Sequence, residues 1–193
     1  MTEKKMIPAA LSNRHLHLSQ KHIDQLFGKN YNLCTLKDLS QPGQFACEEK
    51  VDVIGPKGEI KGVRVLGPAR PETQIEISVS DSFVLGVKPP VRDSGDIEGS
   101  PGVTLRGSEG EVQLDKGVII AARHIHMHTA DAKKFIVQDK QKVKVKTSGE
   151  RALVFENVLV RVSPNYALEM HIDTDEGNAA NLRNGTLVEL ITE

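Results

Sequence analysis

Residues 14–18 have the sequence RHLHL, and residues 123–127 have the sequence RHIHM, so the chain carries one short pattern twice. Each copy has an arginine followed by two histidines that are separated by one apolar residue. Side chains at positions i and i+2 of a β-strand point to the same face, so each histidine pair would project together from one strand. Because histidine is the commonest metal ligand in proteins, the repeat predicts two related metal sites. The simpler alternative is a solvated strand end that is rich in histidine.

The segments around the two copies indicate an internal duplication. In each half, an apolar strand leads into Arg-His-x-His, and a short helix follows. The spacing predicts one helix over residues 19–28, which starts at the N-cap Ser19 and ends at Gly28. Its buried residues are expected to be Ile23, Leu26 and Phe27. The matching helix is predicted over residues 129–137, starting with Thr129.

Two hairpins also correspond between the halves. Residues 51–67 alternate apolar and polar positions around a Gly-Pro-Lys-Gly turn, and residues 142–164 do the same around Thr-Ser-Gly-Glu. Short strands with regular turns favour a barrel or a sandwich. The Pro/Gly-rich segment 88–102 is predicted to join the two halves.

Each half then has a proline followed by an amphipathic strand, at residues 67–78 and 163–173. When these segments are aligned on their prolines, Glu76 and His171 fall within one position of each other. Both lie in the middle of an apolar-polar-apolar triplet, so each half offers two imidazoles and a third candidate ligand. Catalytic zinc sites use three protein ligands and leave one position open. The alternative for Glu76 is a solvent-facing strand carboxylate.

Each of several other polar residues could either bind a ligand or have an ordinary structural or solvent-exposed role. Arg70 lies six residues before Glu76 and is either an anion clamp, since its planar fork suits phosphate, or a surface arginine. Asn178 either contacts a ligand or caps a helix. Lys37 and Arg64 either meet an anionic cofactor or are solvated.

Composition limits the classes of function. The chain has 193 residues, of which 38% are hydrophobic and 26% charged, as is usual for a soluble globular protein. The net charge of -1 gives no electrostatic support for a nucleic-acid or anionic-membrane partner. There is no apolar run of about 18 residues and no signal-peptide core. Cys34 and Cys47 are not in Cys-x-x-Cys spacing, so we expect two reduced thiols.

Four segments together closely resemble the phosphate propanoyltransferases, or PduL-type phosphotransacylases. They are SNRHLHLS (12–19), LGPARPETQIEIS (66–78), ARHIHMHTADA (122–132) and RVSPNYALEMHIDTDEGNAAN (161–181). The resemblance extends over almost the whole chain, from about residue 7 to residue 192. It implies reversible transfer of a short acyl group, propanoyl or acetyl, between coenzyme A and inorganic phosphate to give an acyl phosphate.

The same resemblance implies a mainly β fold of two small interlocked β-barrels, which arise from the duplication and are capped by short α-helices. A central barrel domain is expected over residues 14–121. A second barrel domain is expected over residues 122–193 and is completed by an N-terminal strand at residues 3–13.

The resemblance also assigns roles to individual residues. It implies two Zn²⁺ ions per chain, one held by His15, His17 and Glu76 and the other by His124, His126 and His171. Arg70 matches the phosphate-binding arginine of the family. The coenzyme A site matches Ser12, Lys37, Arg64, Leu66 and Asn178. Phe83 matches an aromatic residue near the active site, although from the residues alone it fits a core position as well.

Two other classes of function explain part of the pattern. Metal-dependent amidohydrolases also open with His-x-His, but on a (β/α)₈ barrel of about 200 to over 400 residues, and this chain is short and rich in strands and turns. A non-catalytic metal-binding barrel would explain the histidine pairs but not the recurring arginine.

We expect a cytoplasmic enzyme, with a homodimer as a reasonable assembly and with no nucleic acid or membrane partner. Relatives sent into bacterial microcompartments carry an N-terminal amphipathic extension, whereas six residues precede Ile7 here. A helix that short is not stable alone, so we expect either a free cytosolic form or a sequence shortened at its N-terminus, and encapsulation and a role in propanediol degradation are less expected.

Overall fold

The computed structural model describes residues 4–191, in two units that are each compact. The barrel unit contains the described residues up to Ser12 together with those from Ala122 onward. The sheet unit contains Asn13–Ala121. The first residue of the predicted N-terminal strand and the last two residues of the expected second domain lie outside the described residues.

Fifteen strands and four short helices make up the described part of the chain. The strands are β1 (Met6–Ser12), β2 (His15–His17), β3 (Thr35–Asp38), β4 (Phe45–Ile54), β5 (Glu59–Gly67), β6 (Gln74–Glu76), β7 (Val91–Arg92), β8 (Thr104–Arg106), β9 (Glu111–Gln113), β10 (Val118–Ala121), β11 (His124–Met127), β12 (Lys142–Lys146), β13 (Val154–Val162), β14 (Glu169–Asp173) and β15 (Leu187–Ile191). The helices are α1 (Gln20–Phe27), α2 (Val79–Leu85), α3 (Thr129–Phe135) and α4 (Thr174–Ala179). The mainly β fold with short helices is therefore confirmed.

The barrel unit is a closed barrel of six strands in the order β1-β14-β11-β13-β12-β15. Strand β1 runs parallel to β14 and antiparallel to β15, so it closes a barrel whose other strands all come from the C-terminal part of the chain. Closure removes the unpaired edges that an open sheet exposes. Alternate residues of β1 point inward, and Ile7 and Ala9 are fully buried in the core of this unit.

The sheet unit is a nine-stranded sheet that curls as a half-barrel. Its path is β7-β10-β6-β2-β5-β4-β8-β9, and β3 pairs with β4 off this path. The predicted hairpin over residues 51–67 is present as β4 and β5, and the one over residues 142–164 is present as β12 and β13 in the barrel unit. Each unit has its own apolar core.

Helix α1 confirms the predicted capping. The Ser19 side chain accepts a hydrogen bond from the backbone N–H of His22, and the chain leaves the helix at Gly28, whose φ of 107° suits glycine. Helix α3 begins at Thr129 as predicted, but its N-cap is His128, whose ring nitrogen accepts from the Ala130 N–H. An imidazole nitrogen can accept a hydrogen bond as a hydroxyl oxygen does. Histidine is not among the usual N-cap residue types, so the sequence did not predict this cap.

The prediction for residues 88–102 is wrong. The segment lies within the sheet unit, where it contributes β7 and the approach to β8. The segment forms turns around Gly95 and Gly99 and the strand β7, which pairs with β10, so it is part of the sheet rather than a linker. Within residues 4–191, no helix is long and apolar enough to cross a membrane.

The closing role of β1 predicts a large effect of Ile7→Ala. The side chain is fully buried in the barrel core, so we expect the free energy of unfolding to fall by about 2–5 kcal/mol. Leu187→Ala on the neighbouring β15 is a matched control, because Leu187 is 54% exposed and its loss should cost about 0.5 kcal/mol or less. Urea unfolding followed by circular dichroism measures both, and equal effects would show that β1 is not part of the barrel core.

Candidate functional site

The first predicted ligand set comes together in the sheet unit. Strands β2 and β6 are antiparallel neighbours, and His15 lies directly opposite Glu76. One donor atom from each of His15, His17 and Glu76 lies within 4.8 Å of the others, and all three residues are buried. Two imidazoles and a carboxylate in a buried cluster are a donor set that divalent zinc accepts.

The orientation of His15 is set by the backbone. Its Nδ1 lies 2.8 Å from the carbonyl oxygen of Asn13, which can only accept a hydrogen bond. Nδ1 therefore carries a proton and donates this bond, and the ring turns Nε2 toward Glu76, 3.5 Å from its Oε2. A hydrogen bond from the second ring nitrogen is the usual way in which proteins orient a metal-binding histidine.

Glu76 is held through one of its two oxygens. Its Oε1 accepts hydrogen bonds from Gln74 Nε2 at 2.6 Å and from the Ser94 hydroxyl at 2.7 Å. The Gln74 side chain is oriented in turn, because its Oε1 accepts from the backbone N–H of Gly95 at 2.7 Å. These bonds leave Oε2 on the side that faces His15.

Arg70 lies beside this carboxylate. Its Nη1 donates to the Ser94 hydroxyl at 3.3 Å, and its backbone N–H donates to the carbonyl of Leu18. Ser94 thus joins the candidate phosphate-binding arginine to the candidate metal ligand Glu76. Ser94 could not be predicted from the sequence, because it lies in the segment assigned to a linker and a lone serine beside glycine carries no functional signal there.

Burial and charge favour the cation-binding protonation states of His17 and Glu76. The pKa of His17 is lowered to about 3, chiefly by burial and then by the neighbouring charges of His15 and Arg70. Burial alone would raise the pKa of Glu76, yet that pKa is lowered to about 2. The lowering comes from the interaction with the two histidines and from the Ser94 hydrogen bond. A neutral imidazole and an ionised carboxylate are the forms with free lone pairs.

The second predicted set comes together in the barrel unit. Strands β11 and β14 are antiparallel neighbours, and His124 lies opposite His171. One nitrogen from each of His124, His126 and His171 lies within 4.8 Å of the others. Nε2 of His124 and Nε2 of His126 are 3.1 Å apart. The two rings thus direct these nitrogens to one point, as two ligands of a single cation do.

The two sets have the same construction. Nδ1 of His124 lies 2.8 Å from the carbonyl oxygen of Ala122, two residues before it, as Nδ1 of His15 does from Asn13. The pairing of His15 with Glu76 matches the pairing of His124 with His171. Glu76 and His171 are therefore equivalent positions, and the third donor of the duplicated site differs in chemistry between the two copies.

The arginine of each Arg-His-x-His copy makes a structural ion pair. Arg14 binds Asp81, with Nη2 at 2.7 Å and Nε at 2.9 Å from the carboxylate. Asp81 is buried and forms a capping box with Ser78 at the start of α2, the helix that follows β6. The arginine thus ties the strand that carries His15 to the helix that follows the third donor.

Arg123 repeats this arrangement in the barrel unit. Its Nη1 lies 2.7 Å from Oε1 of Glu176, which forms a capping box with Asp173 at the start of α4. Burial, followed by the charge of Asp173, raises the pKa of Glu176, and Arg123 offsets this in part. The recurring arginine, whose role the sequence left open, therefore positions the strand in both units.

The candidate coenzyme A residues divide between the units. In the sheet unit, Lys37 on β3 and Leu66 on β5 both pair with Ala46 of β4, and Arg64 lies two residues from Leu66 on the same face of β5. Arg64 Nη1 also donates to the carbonyls of Cys47 and Glu48. These three candidates form a continuous patch with two cations.

The other residues matched to the family lie as follows. Ser12, in the barrel unit, pairs with Asp173 on β14, and Asp173 is the N-cap of the helix α4 that contains Asn178. Asn178 is exposed within α4 rather than at its cap. Phe83 is 75% exposed on α2, so the core alternative for it is wrong.

Comparisons with known proteins all identify similarity to the same family. A family model described as phosphate propanoyltransferase matches residues 8–183. A phosphate propanoyltransferase of Thermotoga maritima is 55% identical over 96% of this chain and 89% of its own length. One of Clostridioides difficile is 51% identical over 96% of this chain and 88% of its own length, and one of Sebaldella termitidis is 53% identical over 91% and 83%.

The ion pair between Arg14 and Asp81 predicts a stability effect. Arg14→Ala removes the cationic partner of the buried Asp81 carboxylate, and since Arg14 is itself part exposed we expect a loss of about 1–3 kcal/mol in the free energy of unfolding. The double variant with Asp81→Asn should cost less than the sum of the two single changes. Arg106→Ala, which breaks exposed pairs, should cost about 1 kcal/mol or less. Strict additivity in urea unfolding would contradict the coupling.

Proposed function

The chain belongs to the phosphate propanoyltransferase family, and we propose that it performs the acyl transfer of that family at a metal-dependent site built on His15, His17, Glu76 and Arg70. It is an acyltransferase whose substrates are acyl-coenzyme A and phosphate. The observation that carries the site assignment is the Ser94 hydroxyl, which bonds both Arg70 and Glu76. An anion-binding group is thereby held beside a buried metal-ligand set.

Both donor sets fit a divalent cation. The His15, His17 and Glu76 set combines two imidazoles with a carboxylate, and the His124, His126 and His171 set offers three imidazoles. Three nitrogen or oxygen ligands match catalytic zinc, and zinc is therefore the metal we propose for each. A bound zinc ion would supply Lewis-acid stabilisation of the negative charge that develops during acyl transfer.

The reaction exchanges one bond for another at the acyl carbonyl carbon. A phosphate oxygen forms a bond to this carbon, the carbon–sulfur bond breaks, and coenzyme A leaves as the thiolate. Phosphate is already an anion at neutral pH, so the step requires no protein base. Arg70 would hold phosphate by paired hydrogen bonds, and such positioning converts an encounter between two molecules into a step within one complex.

The family resemblance and the shared face of Lys37, Arg64 and Leu66 support a coenzyme A site along β3 and β5. Two cations on one face suit the phosphate groups of this substrate. Ser12 and Asn178 are proposed as further contacts on the resemblance alone. Acyl chain length, cytoplasmic location and the homodimer stay predictions.

A thiol-release assay tests the reaction and the role of Arg70. With acyl-coenzyme A as substrate, free thiol should appear only when phosphate is present. Arg70→Ala should lower this rate by about 100-fold or more, because phosphate loses its positioning, while the metal content stays unchanged. Arg70→Lys should be intermediate, since lysine keeps the charge but lacks the planar fork.

Arg106→Ala is the control, since its ion pairs are on the exposed face of β8. Thiol release without phosphate would indicate a hydrolase, and no release would indicate a binding protein. Near-normal turnover of Arg70→Ala would overturn the role of that residue.

Elemental analysis tests the two metal sites. Purified protein should contain about two zinc ions per chain, and His17→Ala and His126→Ala should each retain about one. His22→Ala should retain both, because His22 belongs to neither donor set and bonds the Thr73 hydroxyl instead. A wild-type content of one or none would contradict the proposal.

A further inference from the structure

The two donor sets share a second pair of equivalent positions. Opposite the second histidine of each His-x-His lies the residue two positions before the third donor. His17 pairs with Gln74 in the sheet unit, and His126 pairs with Glu169 in the barrel unit. The strands that carry the third donors, β6 and β14, thus have the sequences Gln-Ile-Glu at residues 74–76 and Glu-Met-His at residues 169–171.

At each of these positions the side chain bonds the third donor. Gln74 Nε2 donates to Oε1 of Glu76 at 2.6 Å. Oε2 of Glu169 lies 2.7 Å from Nε2 of His171, and the two side chains are only 15% and 22% exposed. The residue two positions before the third donor therefore orients that donor in both units. It is the amide Gln74 in the sheet unit and the carboxylate Glu169 in the barrel unit.

The two sites differ in which of these two residues is the carboxylate. In the sheet unit the carboxylate is the third donor and the neighbouring amide is neutral. In the barrel unit the third donor is an imidazole and the neighbour is the carboxylate. Each site therefore includes one carboxylate on this strand, but the sheet-unit site has two histidines and the barrel-unit site has three.

We propose that Glu169 is a positioning residue of the His124, His126 and His171 site, where its carboxylate orients His171 and supplies the negative charge that three imidazoles lack. The inference rests on the proposed metal sites and goes beyond them, because Glu169 is not one of the clustered donors. A carboxylate hydrogen-bonded to a metal-binding histidine fixes the ring and makes it a stronger donor, and its loss typically costs about 10–100-fold in metal affinity.

An ordinary surface ion pair does not account for this contact. Glu156 of the same unit illustrates one, since it bonds Lys144 while its side chain is 61% exposed. Glu169 is instead largely covered, lies opposite one clustered histidine and bonds another. Its position matches that of Gln74, whose partner Glu76 is a donor of the other set.

The test measures zinc affinity by competition with a chromophoric chelator in the His17→Ala background, which leaves only the barrel-unit site. Glu169→Gln keeps the size of the side chain and removes its charge, so zinc affinity should fall by about 10–100-fold. Glu156→Gln is the matched control and should leave the affinity unchanged. An unchanged affinity of Glu169→Gln would overturn the inference.

A double variant separates the charge from a general loss of structure. Glu169→Gln with His171→Glu recreates the Gln-x-Glu arrangement of residues 74–76 on β14. If the site needs one carboxylate on this strand, the double variant should recover most of the affinity that Glu169→Gln loses. If it binds zinc no better than Glu169→Gln, the inference is wrong.

The outcomes also distinguish this inference from the proposed function. Protein with an intact Glu169 that takes up no zinc in the His17→Ala background would contradict both the barrel-unit metal site and the role of Glu169. Zinc uptake that is insensitive to Glu169→Gln would contradict only the role of Glu169 and would leave the proposed function in place.

Discussion

The antiparallel pairing of a His-x-His strand with the strand that carries the third donor is the constraint on which the rest of the site depends. In β2 and β6 this register sets His15 against Glu76, and in β11 and β14 it sets His124 against His171. A shift of one residue would turn each histidine pair to the opposite face, because side chains alternate along a strand. Each unit therefore has to hold this register firmly.

Polar contacts at one end of each pair of strands support this register and orient the histidine rings. Backbone carbonyls two residues upstream bind Nδ1 of His15 and His124, and Arg14 and Arg123 bind carboxylates that cap the helices after the third donor. These groups are buried or half-buried, where leaving one partner unpaired is costly. The same contacts thus contribute to stability and to the geometry of the site.

Much of the fold was predictable because it rests on local patterns. The alternation of apolar residues around Gly-Pro-Lys-Gly and Thr-Ser-Gly-Glu predicted both hairpins, and Ser19 and Gly28 predicted the limits of α1. The role of residues 88–102 was not predictable, because turns between strands β7 and β8 have the same composition as a linker. Ser94 was missed for this reason, since a serine gains meaning only from the side chains that surround it.

The duplicated, mainly β organisation with two His-x-His strands follows from the amino-acid order, because the repeat and its two-residue period are local properties of the chain. The same order indicates that the third donor differs between the copies. The side chains that hold those donors, Ser94 and Gln74 for Glu76 and Glu169 for His171, became evident from the folded chain. Hydrogen bonds depend on distance and direction, and the pairing of strands that are far apart in the sequence sets both.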